Sequence, residues 1–233
     1  MQNDLSGFFS AISSDYDILN RILSFNQDKR WRRKAVIAAE IPENARILDL
    51  CTGTADSAIE LARKNKNSQV FGVDFSPAML NIAGDKIARL GIGKRLHLVQ
   101  ADVFSLPFQE GYFDAVFISF GLRNLIDYQR SLGEMVKMLK SGGSIIILEF
   151  SPAQNNLIGK IIGFYIKNIL PRFASIFGGS RQAYEYLPAS INAFLSPEMI
   201  FDYMFTAGLR KLRRKDLCCG IVNSYYGQKI RKV

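Results

Sequence analysis

Gly53 and Asp74 are the first residues whose types and spacing suggest a ligand site. Gly53 sits in Leu48-Asp49-Leu50-Cys51-Thr52-Gly53-Thr54-Ala55-Asp56, after an apolar run and before a helix-like segment. Open parallel sheets bind ligands at the carboxyl ends of their strands, beside such turns. Glycine lets the backbone pass close to a ligand because it has no Cβ. Thr54 adds a hydroxyl and a backbone N–H. A tight turn after any parallel strand also favours glycine, so this stretch alone does not decide. Asp74 closes the next apolar run, 21 positions after Gly53. A carboxylate there accepts hydrogen bonds from both hydroxyls of a ribose, a device common to adenosine cofactors. The other reading of Asp74 is a helix N-terminal residue.

Asp102, in Gln100-Ala101-Asp102-Val103, follows a third apolar run. Its carboxylate suits an adenine amino group, with the backbone of Val103 at the ring edge. A dinucleotide would need a pyrophosphate cradle of G-x-G-x-x-G spacing, and positions 51 and 55 are Cys and Ala. That favours S-adenosylmethionine, which has no phosphate to cradle. Ser119-Phe120-Gly121-Leu122-Arg123-Asn124 ends a fourth run, where substrate meets cofactor in such folds. Ser119 is expected at the cofactor, and Arg123 and Asn124 at the substrate. A structural arginine at a strand end is the alternative.

These residues need a scaffold of alternating strands and helices. Residues 46–50, 69–73, 96–99, 113–119 and 144–150 read as buried strands. Helical spacing fills 57–64, 76–90 and 128–139, the last terminated by Gly142-Gly143. Repeated β-α-β units imply a parallel, doubly wound sheet. Ser196-Pro197 opens a helix that Gly208 stops. Two strands, 209–217 and 221–226, then face each other across a turn too short for parallel pairing. The expected fold is α/β: a Rossmann-like class I methyltransferase, seven strands, mostly parallel, the last reversed. One domain over 1–233 is expected, with a helical segment 1–40 and a substrate-side insertion 151–195. Within the insertion, 157–170 is apolar with Lys160, Lys167 and Asn168. It suits a membrane surface, a pocket cover or a core helix.

The chain has 233 residues, 48% hydrophobic and 22% charged, an ordinary globular balance. No uncharged apolar run reaches about 18 residues, which argues against a spanning helix. The N-terminus lacks the basic start of a secretory signal. Net charge is +9. The excess is clustered in Lys29, Arg30, Arg32, Arg33 and Lys34, in Arg210, Lys211, Arg213, Arg214 and Lys215, and in Lys229, Arg231 and Lys232. Such clusters suit acidic lipid headgroups or nucleic acid, or are solvated faces. Three cysteines, two of them adjacent, form no disulfide framework and show no metal-ligand spacing. A reducing, cytoplasmic compartment fits.

Beyond the cofactor loop, the chain resembles the ubiquinone/menaquinone-biosynthesis C-methyltransferases. The resemblance rests on Asp15-Tyr16-Asp17-Ile18-Leu19-Asn20-Arg21-Ile22-Leu23-Ser24-Phe25 with Trp31-Arg32-Arg33, on Ser119–Asn124 with Leu148-Glu149-Phe150-Ser151, and on Tyr184-Glu185-Tyr186-Leu187-Pro188 with Ser190-Ile191. It implies S-adenosylmethionine-dependent methylation of a ring carbon in a polyprenylated quinol, in menaquinone or ubiquinone biosynthesis. Carried over, the cofactor contacts fall on Thr54, Asp74, Asp102, Val103 and Ser119. One departure is Ala55, where the family has Gly; a left-handed backbone there would cost alanine about 1–2 kcal/mol.

Ring methylation is easiest on a phenolate, and phenols titrate near about 10. The single histidine, His97, starts the third strand, away from the reacting end. Arg123 is therefore expected to stabilise the phenolate and Asn124 to orient the hydroxyl, with Tyr16, Tyr184 and Tyr186 as pocket walls. The tailed substrate implies peripheral contact with an anionic membrane on its inner face. The rival is an RNA methyltransferase on the basic surface, but neither an Asn-Pro-Pro-Tyr motif nor a Pro-Cys nucleophile is present. A non-catalytic binding protein is the third reading.

Overall fold

The computed structural model of the chain describes Arg21, Ser24 and residues 26–152 and 181–230. Tyr16, the apolar stretch 157–170 and most of the 151–195 insertion lie outside the described residues. The elements are α1 (Gln27–Ala38), β1 (Arg46–Leu50), α2 (Asp56–Lys64), β2 (Gln69–Asp74), α3 (Pro77–Leu90), β3 (Leu96–Gln100), β4 (Phe113–Ser119), α4 (Tyr128–Met138), β5 (Leu139–Phe150), α5 (Arg181–Asn192), α6 (Pro197–Thr206), β6 (Leu209–Leu217) and β7 (Val222–Lys229).

The strands form one seven-stranded sheet in the order β3-β2-β1-β4-β5-β7-β6. β1 to β5 pair in parallel, and β7 runs antiparallel to both β5 and β6. Ile47, Leu48, Leu50, Phe117 and Ile118 are wholly buried, as strands covered on both faces require. One face carries Trp31, Ala35 and Val36 of α1 and Leu61 of α2. The other carries Leu132 and Met135 of α4 and Met204 of α6.

Local signals set the boundaries. Ser76 accepts a hydrogen bond from Met79 N, Pro77 opens α3, and Gly91 ends it in a left-handed turn. Ser196 caps α6 in the same way. Gly142-Gly143 corrects the expectation. α4 ends at Met138, the chain enters β5 directly at Leu139, and both glycines lie inside that strand, where its register with β4 shifts. Gly142 has φ 82°, and a Cβ on Gly143 would stand 3.0 Å from the Asp114 carbonyl. The pair serves a bulge.

The basic clusters separate. Lys29, Arg30, Arg33 and Lys34 are exposed on α1, but Arg32 is buried. Arg210 to Lys215 belong to β6, an edge strand, where charge also blocks pairing with another chain. Lys229 is spent on the carbonyls of Val136 and Leu139, each at 2.7 Å. No helix among the described residues is long and apolar enough to cross a membrane.

Candidate active site

The loop after β1 holds three left-handed residues in alternation: Cys51 (φ 51°), Gly53 (φ 55°) and Ala55 (φ 67°). A Cβ on Gly53 would meet nothing within 4 Å, so the glycine leaves open space. Ala55 pays the left-handed strain its identity implied, and its methyl is fully buried at the start of α2. Asp74 closes the loop from β2. Its two oxygens accept from Gly53 N at 2.8 Å and Ser76 N at 2.9 Å. Burial raises the Asp74 carboxyl against those N–H groups. Each oxygen keeps a second lone pair, so the carboxylate is held in place and can still accept from ribose hydroxyls. Asp102 is ordered by Phe104 N at 2.8 Å, and Val103 is buried beside it. The Thr54 hydroxyl accepts from Lys86 Nζ at 2.9 Å.

Beneath the loop lies a polar cluster that strand and helix counting missed. Arg32 of α1 donates to Ser57, the second residue of α2, at 2.7 Å, and to Ser119 at the end of β4. Ser57 and Ser119 hydroxyls meet at 2.6 Å. Ser119 thus closes β4 with its hydroxyl shared between two partners. Asp49 accepts from Thr52 at 2.6 Å through one oxygen only. Its other oxygen, and Arg32 Nε, are buried without a hydrogen-bond partner. Burial pushes the Asp49 carboxyl up to about 7, against the Thr52 hydrogen bond and the Arg32 charge. Arg32 Nε lies 3.9 Å from Asp28 Oδ2, so its charge has an ion partner but no hydrogen bond, while the second Asp49 oxygen has no hydrogen-bond partner. Buried polar atoms left so are costly and suit a dipolar ligand. Helical spacing was the signal available for Arg32: Asp28, Trp31, Arg32, Ala35 and Val36 share the buried face of α1. For Asp49 it was a lone carboxylate within an apolar strand.

At the ends of β4 and β5 the backbone is strained. Phe120 has φ 55°, a conformation bulky residues rarely adopt outside functional sites. Its ring lies 5.0 Å from the Arg32 guanidinium and 4.8 Å from the Phe150 ring. A Cβ on Gly121 would fall 2.5 Å from Cys51 Cβ, so the β1 and β4 loops approach this closely only with glycine. Burial lifts the Cys51 thiol well above its usual range, which removes it as a nucleophile.

Arg123, expected at the substrate, is held from several sides. Its guanidinium pairs with Glu149 at 2.8 Å, the two side chains being 6% and 0% exposed. It also donates to the Phe120 carbonyl and, at 3.3 Å, to Ser190 of α5. The Asn124 side-chain oxygen accepts from the Tyr186 hydroxyl at 2.8 Å. Arg123 and Asn124 thus tie α5 to the carboxyl ends of β4 and β5, and the Arg123 charge faces that of Glu149. Tyr186 joins this group; the Tyr184 side chain lies outside what is described. His97, on the edge strand β3, pairs with Gln69 at 2.8 Å.

A model of the ubiE/COQ5 methyltransferase family matches residues 2–229. A demethylmenaquinone methyltransferase from Thermus thermophilus is 41% identical over 221 residues, covering 95% of this chain and 99% of that protein. A ubiquinone/menaquinone biosynthesis C-methyltransferase UbiE from Geobacter sulfurreducens is 40% identical over 222 residues, covering 95% of this chain and 86% of that protein. Among solved structures, a SAM-dependent methyltransferase from Aquifex aeolicus superposes with a TM-score of 0.64 at 16% identity, over 85% of this chain and 89% of that one. That likeness concerns the fold.

Proposed function

The chain belongs to the ubiE/COQ5 methyltransferase family, and on that premise we propose that it methylates a ring carbon of a polyprenylated quinol: demethylmenaquinol to menaquinol, or the equivalent step towards ubiquinone. The chain is a methyltransferase, and its methyl donor is S-adenosylmethionine. The observation that carries the quinol reading is coverage. The relatives named for this chemistry align over 95% of the chain, insertion included, and not over the cofactor-binding strands alone. That also favours quinol over RNA, for which the basic surface is the sole argument.

The residues present fit the donor. Asp74 is a fixed, doubly anchored acceptor for the ribose. Asp102 and Val103 stand at the next strand end for adenine, and Gly53 leaves room for close approach. Arg32 with Ser57 suits the carboxylate of the methionyl end, and Asp49 with Ser119 its ammonium group, which gives Arg32 Nε and the second Asp49 oxygen a hydrogen-bond partner. Bound there, S-adenosylmethionine supplies an electrophilic methyl group on a sulfonium.

The chain's own residues then orient the acceptor ring. Arg123, paired with Glu149, acts as a positioning residue: it fixes the Phe120 carbonyl and holds Ser190 of α5. With its oxygen engaged by Tyr186, Asn124 presents its Nδ2 as a donor for a quinol oxygen, where a hydrogen bond stabilises developing phenolate charge. Tyr16, Tyr184 and Tyr186 are assigned to the pocket wall. The ring proton leaves to solvent or to a base outside this group.

The exposed Lys29, Arg30, Arg33 and Lys34 of α1 supply peripheral attraction to an anionic membrane, each worth about 1 kcal/mol near the surface. Flotation with anionic vesicles, lost at high salt, checks that part. The reaction is tested with methyl-labelled donor and three acceptors: demethylmenaquinol, the ubiquinone precursor and RNA. Label in a quinol is expected. Label in RNA alone overturns the reading.

A further inference from the structure

The helical layer beside the cofactor loop contains a cleft of about 410 Å3. Its walls gather Arg21, Lys29, Arg32, Arg63, Lys86 and Arg89, and Arg32 is shared with the polar cluster beneath the cofactor loop. Two carboxylates, Asp56 and Glu60, oppose them there. Lys86 is committed to Asp56 at 2.8 Å and to the Thr54 hydroxyl. Lys29, Arg63 and Arg89 form no ion pair among the described residues. Arg21 Nε is buried without a hydrogen-bond partner. Although burial works against it, the charges of Arg32, Lys86 and Arg21 hold the Asp56 carboxyl below its ordinary value.

Cations collected in one concavity repel one another, and a buried guanidinium N–H lacks an acceptor. An anion with several oxygens relieves both, and guanidinium groups match phosphate geometry. The volume exceeds what a bare phosphate needs, since a water molecule takes only about 30 Å3 of liquid. Ile59 and Leu90 line the remainder with apolar surface. We propose that this cleft binds a phosphate ester, its phosphate held by Arg21, Arg63 and Arg89 and its organic part against Ile59 and Leu90. The cleft adjoins the methionyl end of the cofactor site through Arg32, but the phosphate is placed on other residues and the proposal does not rest on the methyl-transfer reading.

Glycerol 1-phosphate is the soluble probe, titrated into the full chain by calorimetry. Vesicles of phosphatidylglycerol in phosphatidylcholine form a second arm. Saturable binding of glycerol 1-phosphate is expected, weakened roughly tenfold or more by Arg63→Glu with Arg89→Glu. Lys211→Glu with Lys215→Glu makes the same charge change on β6 and should leave binding intact. If the first pair fails to fold, Arg63→Gln with Arg89→Gln replaces it. Vesicle binding that falls in the same variant assigns a lipid headgroup as the source of the phosphate; vesicle binding indifferent to it assigns a soluble ester. No binding of glycerol 1-phosphate to wild type, or equal loss in both charge-reversed pairs, overturns the site.

Discussion

The guanidinium of Arg123 and the carboxylate of Glu149 meet at 2.8 Å with both side chains buried, joining the turn after β4 to the end of β5. Removing one member of a buried pair strands the other charge, at a cost of about 3–5 kcal/mol, whereas replacing both with apolar groups is far milder. Arg123→Ala should therefore lower stability by several kcal/mol, and Arg123→Met with Glu149→Leu should recover most of the loss. Urea denaturation of the single and double variants measures this. An Arg123→Ala midpoint equal to wild type would mean that the pair holds nothing together.

Asp49 gives a pH dependence with a definite sign. Its carboxyl titrates near 3.8 in the unfolded chain and at about 7 in the fold. The folded state thus binds the proton more tightly between those values. This contribution to stability is fully present below about pH 4 and is lost as pH rises to about 7. Asp49→Asn lacks the change. Its stability relative to wild type should climb across that window and level off above it. A difference between the two proteins that stays flat from pH 4 to pH 8 would contradict the buried proton.

The same substitution should harm ligand binding, and selectively. We predict that Asp49→Asn weakens S-adenosylhomocysteine binding by roughly tenfold to a hundredfold, the worth of one charge-assisted hydrogen bond of about 1.5–3 kcal/mol. Methylthioadenosine keeps the ribose and adenine but lacks the amino-acid end, so its affinity should not move. Calorimetry with both ligands separates the outcomes. Equal weakening would place Asp49 elsewhere in the site, and failure of wild type to bind either ligand would remove the cofactor assignment itself.

The sheet was legible because buried parallel strands announce themselves as short apolar runs, and β1 and β4 begin and end where those runs do. Gly142-Gly143 misled because glycine marks a bulge as readily as a helix stop. Arg32 misled for a different reason. Counted along the chain it belongs to a basic block; counted around α1 it faces the core with Trp31 and Val36. Asp74 and Asp102 could be placed from strand ends alone. The Arg123–Glu149 pair joins residues 26 apart in sequence through the β4–β5 crossover, and no local spacing reveals that.

Ala55 sets two effects of similar size against each other. Ala55→Gly relieves about 1–2 kcal/mol of left-handed strain. It also removes a buried methyl, worth about 0.8 kcal/mol, and frees the unfolded chain by about 0.4–1 kcal/mol. The expected result is a thermal midpoint within about 2–4 °C of wild type. A larger fall would show that the methyl packs better than its transfer value implies.

Asp74 carries the last prediction, because its carboxylate serves the loop and the ligand together. Asp74→Asn keeps the shape but leaves one acceptor where two N–H groups, from Gly53 and Ser76, now find two. One of them must lose its partner or face another N–H. The loop should loosen, and the ribose should lose a charged acceptor. Binding of S-adenosylhomocysteine and of methylthioadenosine should then fall alike, by about one to two orders of magnitude. That pattern differs from Asp49→Asn, which spares the ligand without an amino-acid end. Methylthioadenosine affinity unchanged in Asp74→Asn would detach Asp74 from the ribose and leave it a purely structural closure of the β1 loop.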